Sequence, residues 1–278
     1  MRVAALQMIS TPNTAENLAT AARLMAEAKA QGAELVVLPE YFFLITQDAR
    51  AKVEACEQLL PADYRQASLT EQHAAPLQIF LAKHAQQLGL WVAGGSIPLT
   101  ASVPDKMRNT TLVYNPQGQR VTRYDKVHLF SFDNGHERYD EAATMEAGDH
   151  PVRFSAPCGE VGLSICYDLR FPEYFRALGP VSLLILPAAF TYTTGKAHWE
   201  ILLRARAIEN QCYVLACGQG GLHPTGRRTF GHSMLIDPWG EIVALQAEGE
   251  GVVIGEVDLQ RIAEVRRNLP ALQHRQCL

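Results

Sequence analysis

Runs of β-branched and leucine-rich residues alternate with longer segments of helical spacing from the first residue onward, at 3–8, 13–31 and 34–38. A chain with this alternation must lay helices against a sheet, because apolar strands need cover on both faces. The first helix has a readable start, since Asn13 caps the free amides and Glu16, three residues on, reaches back. Gly32 supplies its stop, and Leu18, Ala21, Met25 and Ala28 recur at helical spacing toward the sheet. A second helix is predicted over 73–87, ending at Gly89 before a strand at 90–97. From Thr110 the rhythm changes. Residues 111–114 and 120–124 flank Asn115-Pro116-Gln117-Gly118, and 233–236 and 242–245 flank Asp237-Pro238-Trp239-Gly240, so each set predicts an antiparallel hairpin. Between them lie strands at 161–166, 181–186 and 213–216 and a helix over about 197–210, with a last strand at 252–257. Strands outnumber helices, and two mixed sheets packed face to face with helices outside are expected. No low-complexity linker or solenoid-length repeat divides the chain, so residues 1–278 are expected to form a single domain.

Composition narrows the function classes. Of the 278 residues 47% are hydrophobic and 19% charged, enough apolar material for a large core and no sign of disorder. The net charge of -4, with both signs mixed along the chain and no basic run, disfavours nucleic acid as a partner. The longest apolar run, 183–190, is far below the roughly 20 residues a membrane-spanning helix requires, so no membrane partner is expected. Residues 1–8 read as a first strand, without the apolar core and cleavage site of a signal peptide. The cysteines Cys56, Cys158, Cys166, Cys212, Cys217 and Cys277 therefore read as reduced thiols in a cytoplasmic setting. No C-x-x-C pair or H-E-x-x-H spacing occurs, and no metal is expected.

Three positions could carry chemistry. Glu40 follows the apolar strand 34–38 and Pro39, just past a strand's carboxyl end, where α/β enzymes often place active-site groups. Taken alone it reads sooner as an ordinary exposed loop acid, since such acids are common at the surface. Lys126 follows the strand 120–124 in Asp125-Lys126-Val127-His128-Leu129, and a lysine at a strand end is commonly just solvated. Cys166 closes a buried-looking strand and is followed at once by the turn-prone Tyr167-Asp168-Leu169-Arg170-Phe171-Pro172-Glu173. A thiol at such a strand-to-helix turn is presented to a cleft with free backbone amides beside it, although a buried structural cysteine fits the spacing too. Arg170 and Glu173 either pair across one helical turn or leave Arg170 free to fork a substrate carboxylate. Gly218-Gln219-Gly220-Gly221 lacks the third glycine of a dinucleotide fingerprint and reads as a loop, and Gly162-Leu163-Ser164-Ile165-Cys166 lacks the last glycine of a serine elbow.

Taken together, Leu38-Pro39-Glu40, Asp125-Lys126-Val127-His128-Leu129 and Cys166-Tyr167-Asp168-Leu169-Arg170-Phe171-Pro172-Glu173 resemble, in order and spacing, the three signature blocks of the nitrilase superfamily of carbon-nitrogen hydrolases. The resemblance runs over nearly the whole chain. It implies a four-layer αββα sandwich of two mixed β-sheets, pairing into an αββααββα homodimer, with a Glu40-Lys126-Cys166 triad and no cofactor. It also implies a second glutamate near the triad, for which Glu141 fits by its distance to Gly148 while Glu137 lies close by. His198-Trp199-Glu200 and Arg204-Ala205-Arg206-Ala207-Ile208-Glu209-Asn210, with the Cys166 block, are most similar to the deaminated glutathione amidase branch.

The expected chemistry is hydrolysis of a small carboxylate-bearing amide to acid and ammonia. Cys166 attacks, Glu40 is the base, and Lys126 with the Tyr167 backbone amide holds the oxyanion. Arg170 is the expected carboxylate partner, with Phe190 and Thr191 lining the same cleft. An omega-amidase, an N-carbamoyl compound hydrolase and a noncatalytic scaffold of the same fold are the alternatives.

Overall fold

The structure, a computed structural model, describes residues 1–48, 50–136 and 138–276, so Glu137 and Cys277 lie outside the described residues. The order begins with β1 (Arg2–Gln7), α1 (Thr14–Ala30), β2 (Leu35–Val37), α2 (Arg50–Glu54), α3 (Leu69–His73) and α4 (Pro76–Leu88). Then come β3 (Trp91–Ala93), β4 (Ile97–Thr100), β5 (Met107–Tyr114) and β6 (Arg120–Asp125), and a small hairpin of β7 (Ser131–Asp133) and β8 (Arg138–Asp140). The second half holds β9 (Arg153–Ala156), β10 (Gly159–Leu163), α5 (Pro172–Ala177), β11 (Leu183–Ala188), α6 (Tyr192–Asn210) and β12 (Tyr213–Gly218). It ends with β13 (Ser233–Ile236), β14 (Ile242–Gln246), β15 (Gly251–Glu256) and α7 (Leu259–Asn268).

Apart from the two-stranded β7–β8 hairpin, the strands form two mixed sheets, as the paired hairpins predict. In the first, β1, β2 and β3 run parallel, β5 joins them antiparallel and itself pairs with β4 and β6, and β15 closes the other edge against β1. In the second, β10, β11 and β12 are parallel, flanked by antiparallel β9 on one side and by β13 and β14 on the other. Period-two geometry explains why β1 is apolar at every inner position. Val3 and Ala5 face the second sheet, whereas Ala4 and Leu6 join the core under α1 and α4. On the far side Trp199, Leu203 and Ala207 of α6 cover β11 and β12. The sheets meet closely enough for the Cys217 thiol of β12 to reach Leu6 O at 3.3 Å and Val37 O at 3.1 Å. The result is an αββα sandwich, and among the described residues no helix is long and apolar enough to cross a membrane.

Asn13 caps α1 as predicted, although Glu16 meets the Asn13 side-chain amide, at 2.9 Å, instead of its backbone N–H. Leu18 is only half-buried, and Leu24 takes a place on the inner face. The strand predicted at 90–97 is two short strands broken at Gly94 and Gly95. Gly95 has φ +55°, and a Cβ there would stand 2.1 Å from Pro39 O, so only glycine lets the backbone come this close to the Glu40 loop. The helix predicted from about 197 begins at Tyr192, because Gly195, pressed against the Phe230 ring, interrupts the apolar pattern without stopping the helix.

Candidate active site

The carboxyl ends of strands from both sheets converge on one cavity of about 700 Å³. Glu40 follows β2, Lys126 follows β6, Cys166 follows β10 and Phe190 follows β11. Glu40, Glu141, Cys166, Tyr167, Phe190 and Thr191 all line the cavity.

Glu40 is 1% exposed and fully engaged. Its Oε2 accepts from the Ala189 amide at 2.8 Å, and its Oε1 accepts from Asn109 Nδ2 at 2.9 Å and from Lys126 Nζ at 3.0 Å. Its backbone is tied as well, because Gln219 Nε2 donates to Glu40 O at 3.1 Å. Burial pushes the carboxyl up, but the Lys126 ammonium and the hydrogen bonds from Lys126 and Ala189 outweigh it and hold Glu40 below the usual range. Lys126 is squeezed between two acids, with Nζ also 3.0 and 2.8 Å from the Glu141 oxygens. Burial alone would lower the lysine, yet Glu141 and Glu40 together raise it above its ordinary value, so it stays an ammonium. Glu141 opens a 3-10 turn and is fixed by the Phe130 amide at 2.7 Å and the Tyr41 hydroxyl at 3.2 Å.

Cys166 adopts φ +48°, a left-handed conformation that a non-glycine residue holds only when its surroundings enforce it. The enforcing group is Asp168, fully buried two residues on. Asp168 Oδ2 accepts from the Ile165 amide at 2.8 Å and the Tyr124 hydroxyl at 2.6 Å, and its Oδ1 from the His128 amide at 3.1 Å and ring Nδ1 at 2.8 Å. One carboxylate thus locks the turn holding the thiol to the strand end that carries Lys126. Burial first, and the Glu40 charge next, push the Cys166 thiol well above its ordinary value, against the opposing pull of the Lys126 ammonium. At rest the sulfur is a protonated thiol with a carboxylate beside it.

The structure brings Glu40, Lys126, Cys166 and Glu141 together, and sets Arg170 apart. The Arg170 guanidinium stands 3.2 Å from His198 Nδ1 and stacks near the rings of Phe190 and Tyr167, and it is not among the cavity's lining residues. The predicted carboxylate partner thus lies behind two residues that line the cavity, held toward His198 of α6. Tyr41, Asn109 and Asp168 escape the sequence reading. A signal for Asn109 does exist, since it is an amide in strand β5 between Arg108 and the threonine-rich, apolar run 110–114. Among the described residues, no group of three or more His, Cys, Asp or Glu side chains gathers in a way that could hold a metal ion.

Fold and cavity together define a hydrolase acting on carbon-nitrogen bonds other than peptide bonds. The family described as carbon-nitrogen hydrolase matches residues 2–267, and the chain belongs to that family. It is 44% identical over 279 residues to the deaminated glutathione amidase of Synechocystis sp. (strain PCC 6803 / GT-S), covering 98% of this chain and 97% of that one. It is 35% identical to the omega-amidase NIT2 of Xenopus tropicalis, covering 99% and 94% of the two chains. Among solved structures, Saccharomyces cerevisiae Nit3, a member of branch 10 of the nitrilase superfamily, superposes with a TM-score of 0.85 at 30% identity, over 100% of this chain and 97% of that one.

Proposed function

We propose that the protein is an amidase for a small carboxylate-bearing amide, deaminated glutathione first, working through a Cys166 thioester with Glu40 and Lys126. The observation that carries this is the Lys126 ammonium, buried between Glu40 and Glu141, on a cavity that Glu40 and the Cys166 thiol both line. Likeness to the Synechocystis amidase over nearly the full chain supports the substrate.

Glu40 takes the thiol proton as the Cys166 sulfur bonds the amide carbon. The new oxyanion is held by the Lys126 ammonium and the Tyr167 backbone amide. Glu40 then protonates the leaving nitrogen and the carbon–nitrogen bond breaks, leaving the thioester. A water that Glu40 deprotonates attacks the same carbon, and the thiolate leaves with that proton restored to sulfur. Glu141 keeps Lys126 charged and oriented. The leaving group is ammonia only for a primary amide. Deaminated glutathione is a secondary amide and releases a dipeptide amine, so ammonia is not a general readout of this reaction.

The test is a panel of deaminated glutathione, a keto dicarboxylic omega-amide, an N-carbamoyl amino acid and a nitrile, with the acid products followed by mass. Fastest turnover of deaminated glutathione, with none in Cys166→Ala, is expected. A faster omega-amide would move the substrate to the second reading, which the likeness to omega-amidase NIT2 favours. No turnover of any member, with equal alkylation of all accessible cysteines, would leave only a noncatalytic scaffold. The same reading includes a homodimer, supported by exposed Ile201, Ile208 and Trp239 on one face, and a reducing, cytoplasmic setting, supported by the free thiols Cys158, Cys166, Cys212 and Cys217. The core shared by the two sheets supports treating residues 1–278 as one domain.

A further inference from the structure

Two cations on the cavity wall take no part in the chemistry above. Lys52, on α2, is only 8% exposed, and its Nζ lies 3.7 Å from the centroid of the Tyr41 ring. Arg227, in the loop between β12 and β13, donates Nη2 to Ala189 O at 3.1 Å, and its buried Nε has no partner. Both line the cavity. The other cations on that wall are committed or exposed, since Arg228 pairs with Glu248 at 2.9 Å and Arg138 is solvent-exposed near Asp133. Two acids of the wall, the buried Glu40 and the half-buried Glu141, are engaged by Lys126. Among the described residues no carboxylate forms an ion pair with Lys52 or Arg227.

A buried ammonium without an anion is costly, and a second positive charge nearby adds to the cost. Burial first, and Arg227 next, lower Lys52 to about 7, against the opposing pull of Glu40 and Glu141. Two cationic side chains without a paired carboxylate thus border one open space, which is what an anion would fill. Lys52 stands over the ring whose hydroxyl bonds Glu141, so the space is one tyrosine ring away from the Lys126 pair.

We propose that Lys52 and Arg227 form the subsite for a carboxylate carried by the substrate and make the enzyme selective for anionic amides. This deepens the amidase reading and rests on it for its orientation, with the scissile carbonyl at Cys166 and the carboxylate beyond Tyr41. Lys52 meets the anion as a point charge over the aromatic face, and Arg227 supplies directional donors from the loop between β12 and β13.

The test compares glutaramic acid with neutral glutaramide as substrates of the full chain, in wild type, Lys52→Met, Lys52→Arg and Arg227→Gln. The ratio of the two kcat/KM values is expected to fall roughly 10- to 100-fold in Lys52→Met and Arg227→Gln, the loss of one charge-assisted contact each, and to recover most of that in Lys52→Arg. A ratio within about twofold of wild type in both charge-removing variants overturns the subsite. A second measurement needs no turnover: glutarate should protect Cys166 of the wild type from iodoacetamide, at concentrations about tenfold lower or better than in either variant. Equal protection in wild type and variants, or none in the wild type, overturns the subsite. Charge-dependent protection in a wild type that hydrolyses no amide supports the subsite and removes the amidase reading alone.

Discussion

At the scale of single residues, the decisive fact is that the nucleophile rests as a thiol. A sulfur pushed up by burial and by the Glu40 charge owes its reactivity to proton transfer, so its rate tracks the base. Glu40→Gln is expected to slow both amide turnover and iodoacetamide labelling of Cys166 by about 10²- to 10⁴-fold, read by mass-resolved alkylation; labelling at the wild-type rate would show that another group takes the proton. Lys52 yields a pH prediction. Facing it are Arg227, Lys126, Glu40 and Glu141, and of these Lys126 stays charged because its acids raise it, and Glu40 stays ionised because Lys126 lowers it. Lys52 in the free protein loses its charge as pH rises through about 7, so the preference for glutaramic acid over glutaramide should weaken from pH about 6 to about 9. The sign for stability is the reverse. With a folded value below the ordinary 10.5 of a lysine, the charge penalises the native state fully below about 7, and the penalty is relieved as pH rises from there toward 10.5. Lys52→Met should therefore raise Tm at pH about 6, by roughly 3–10 °C for a relief of about 1–3 kcal/mol, in a thermal melt. An unchanged or lowered Tm would show that the ammonium is already compensated.

At the scale of elements, what the chain reveals in advance is whatever depends on local period and turn chemistry. The β5–β6 and β13–β14 hairpins, the Asn13 cap and the Gly89 stop are all written within a few neighbouring residues. Less legible are features decided by distant partners. β15 pairs with β1 across almost the whole chain, β3 and β4 are separated by a backbone approach visible only once Pro39 lies beside Gly95, and α6 starts early because Phe230 packs on Gly195. The site divides the same way. The positions of Glu40, Lys126 and Cys166 past strand ends are readable from the strands, and their identity as a group came from matching three blocks. The direction of Arg170, and the charges of Lys52 and Arg227 meeting over one space, depend on packing that no short segment encodes. Asp168 joins the two kinds of information, for it sits inside the Cys166 block while its partners come from β6 and the segment after it. Asp168→Asn removes the charge from four donors and turns an amide toward some of them, so a loss of about 2–4 kcal/mol in stability is expected. Turnover should fall at least about tenfold even below the melting transition, because the strained Cys166 turn loses its clamp. A stable variant of full activity would show that the turn holds itself.

At the scale of the whole molecule, α6 links the cavity to an uncovered surface. Its first turns carry Thr194 on the cavity wall, and its outer face presents Ile201 and Ile208, 70% and 49% exposed. The β13–β14 turn continues that face, with Arg204 Nε bonded to Gly240 O at 2.8 Å and Trp239 51% exposed beside it. Large apolar side chains clustered in this way are costly in water and favour burial against a complementary copy, for which a two-fold pairing of like helices is the simplest closed solution. Under the proposed homodimer, the chain should sediment at twice its mass at micromolar concentration, and the double variant Ile201→Asp, Ile208→Asp should sediment as a single chain. Because the first turn of α6 also gives Thr194 to the cavity wall, the separated chains should melt lower and show a higher KM for anionic amides, while Cys166 still alkylates faster than the other thiols. A wild type that sediments as one chain at these concentrations would refute the pairing and leave the α6 face without a partner.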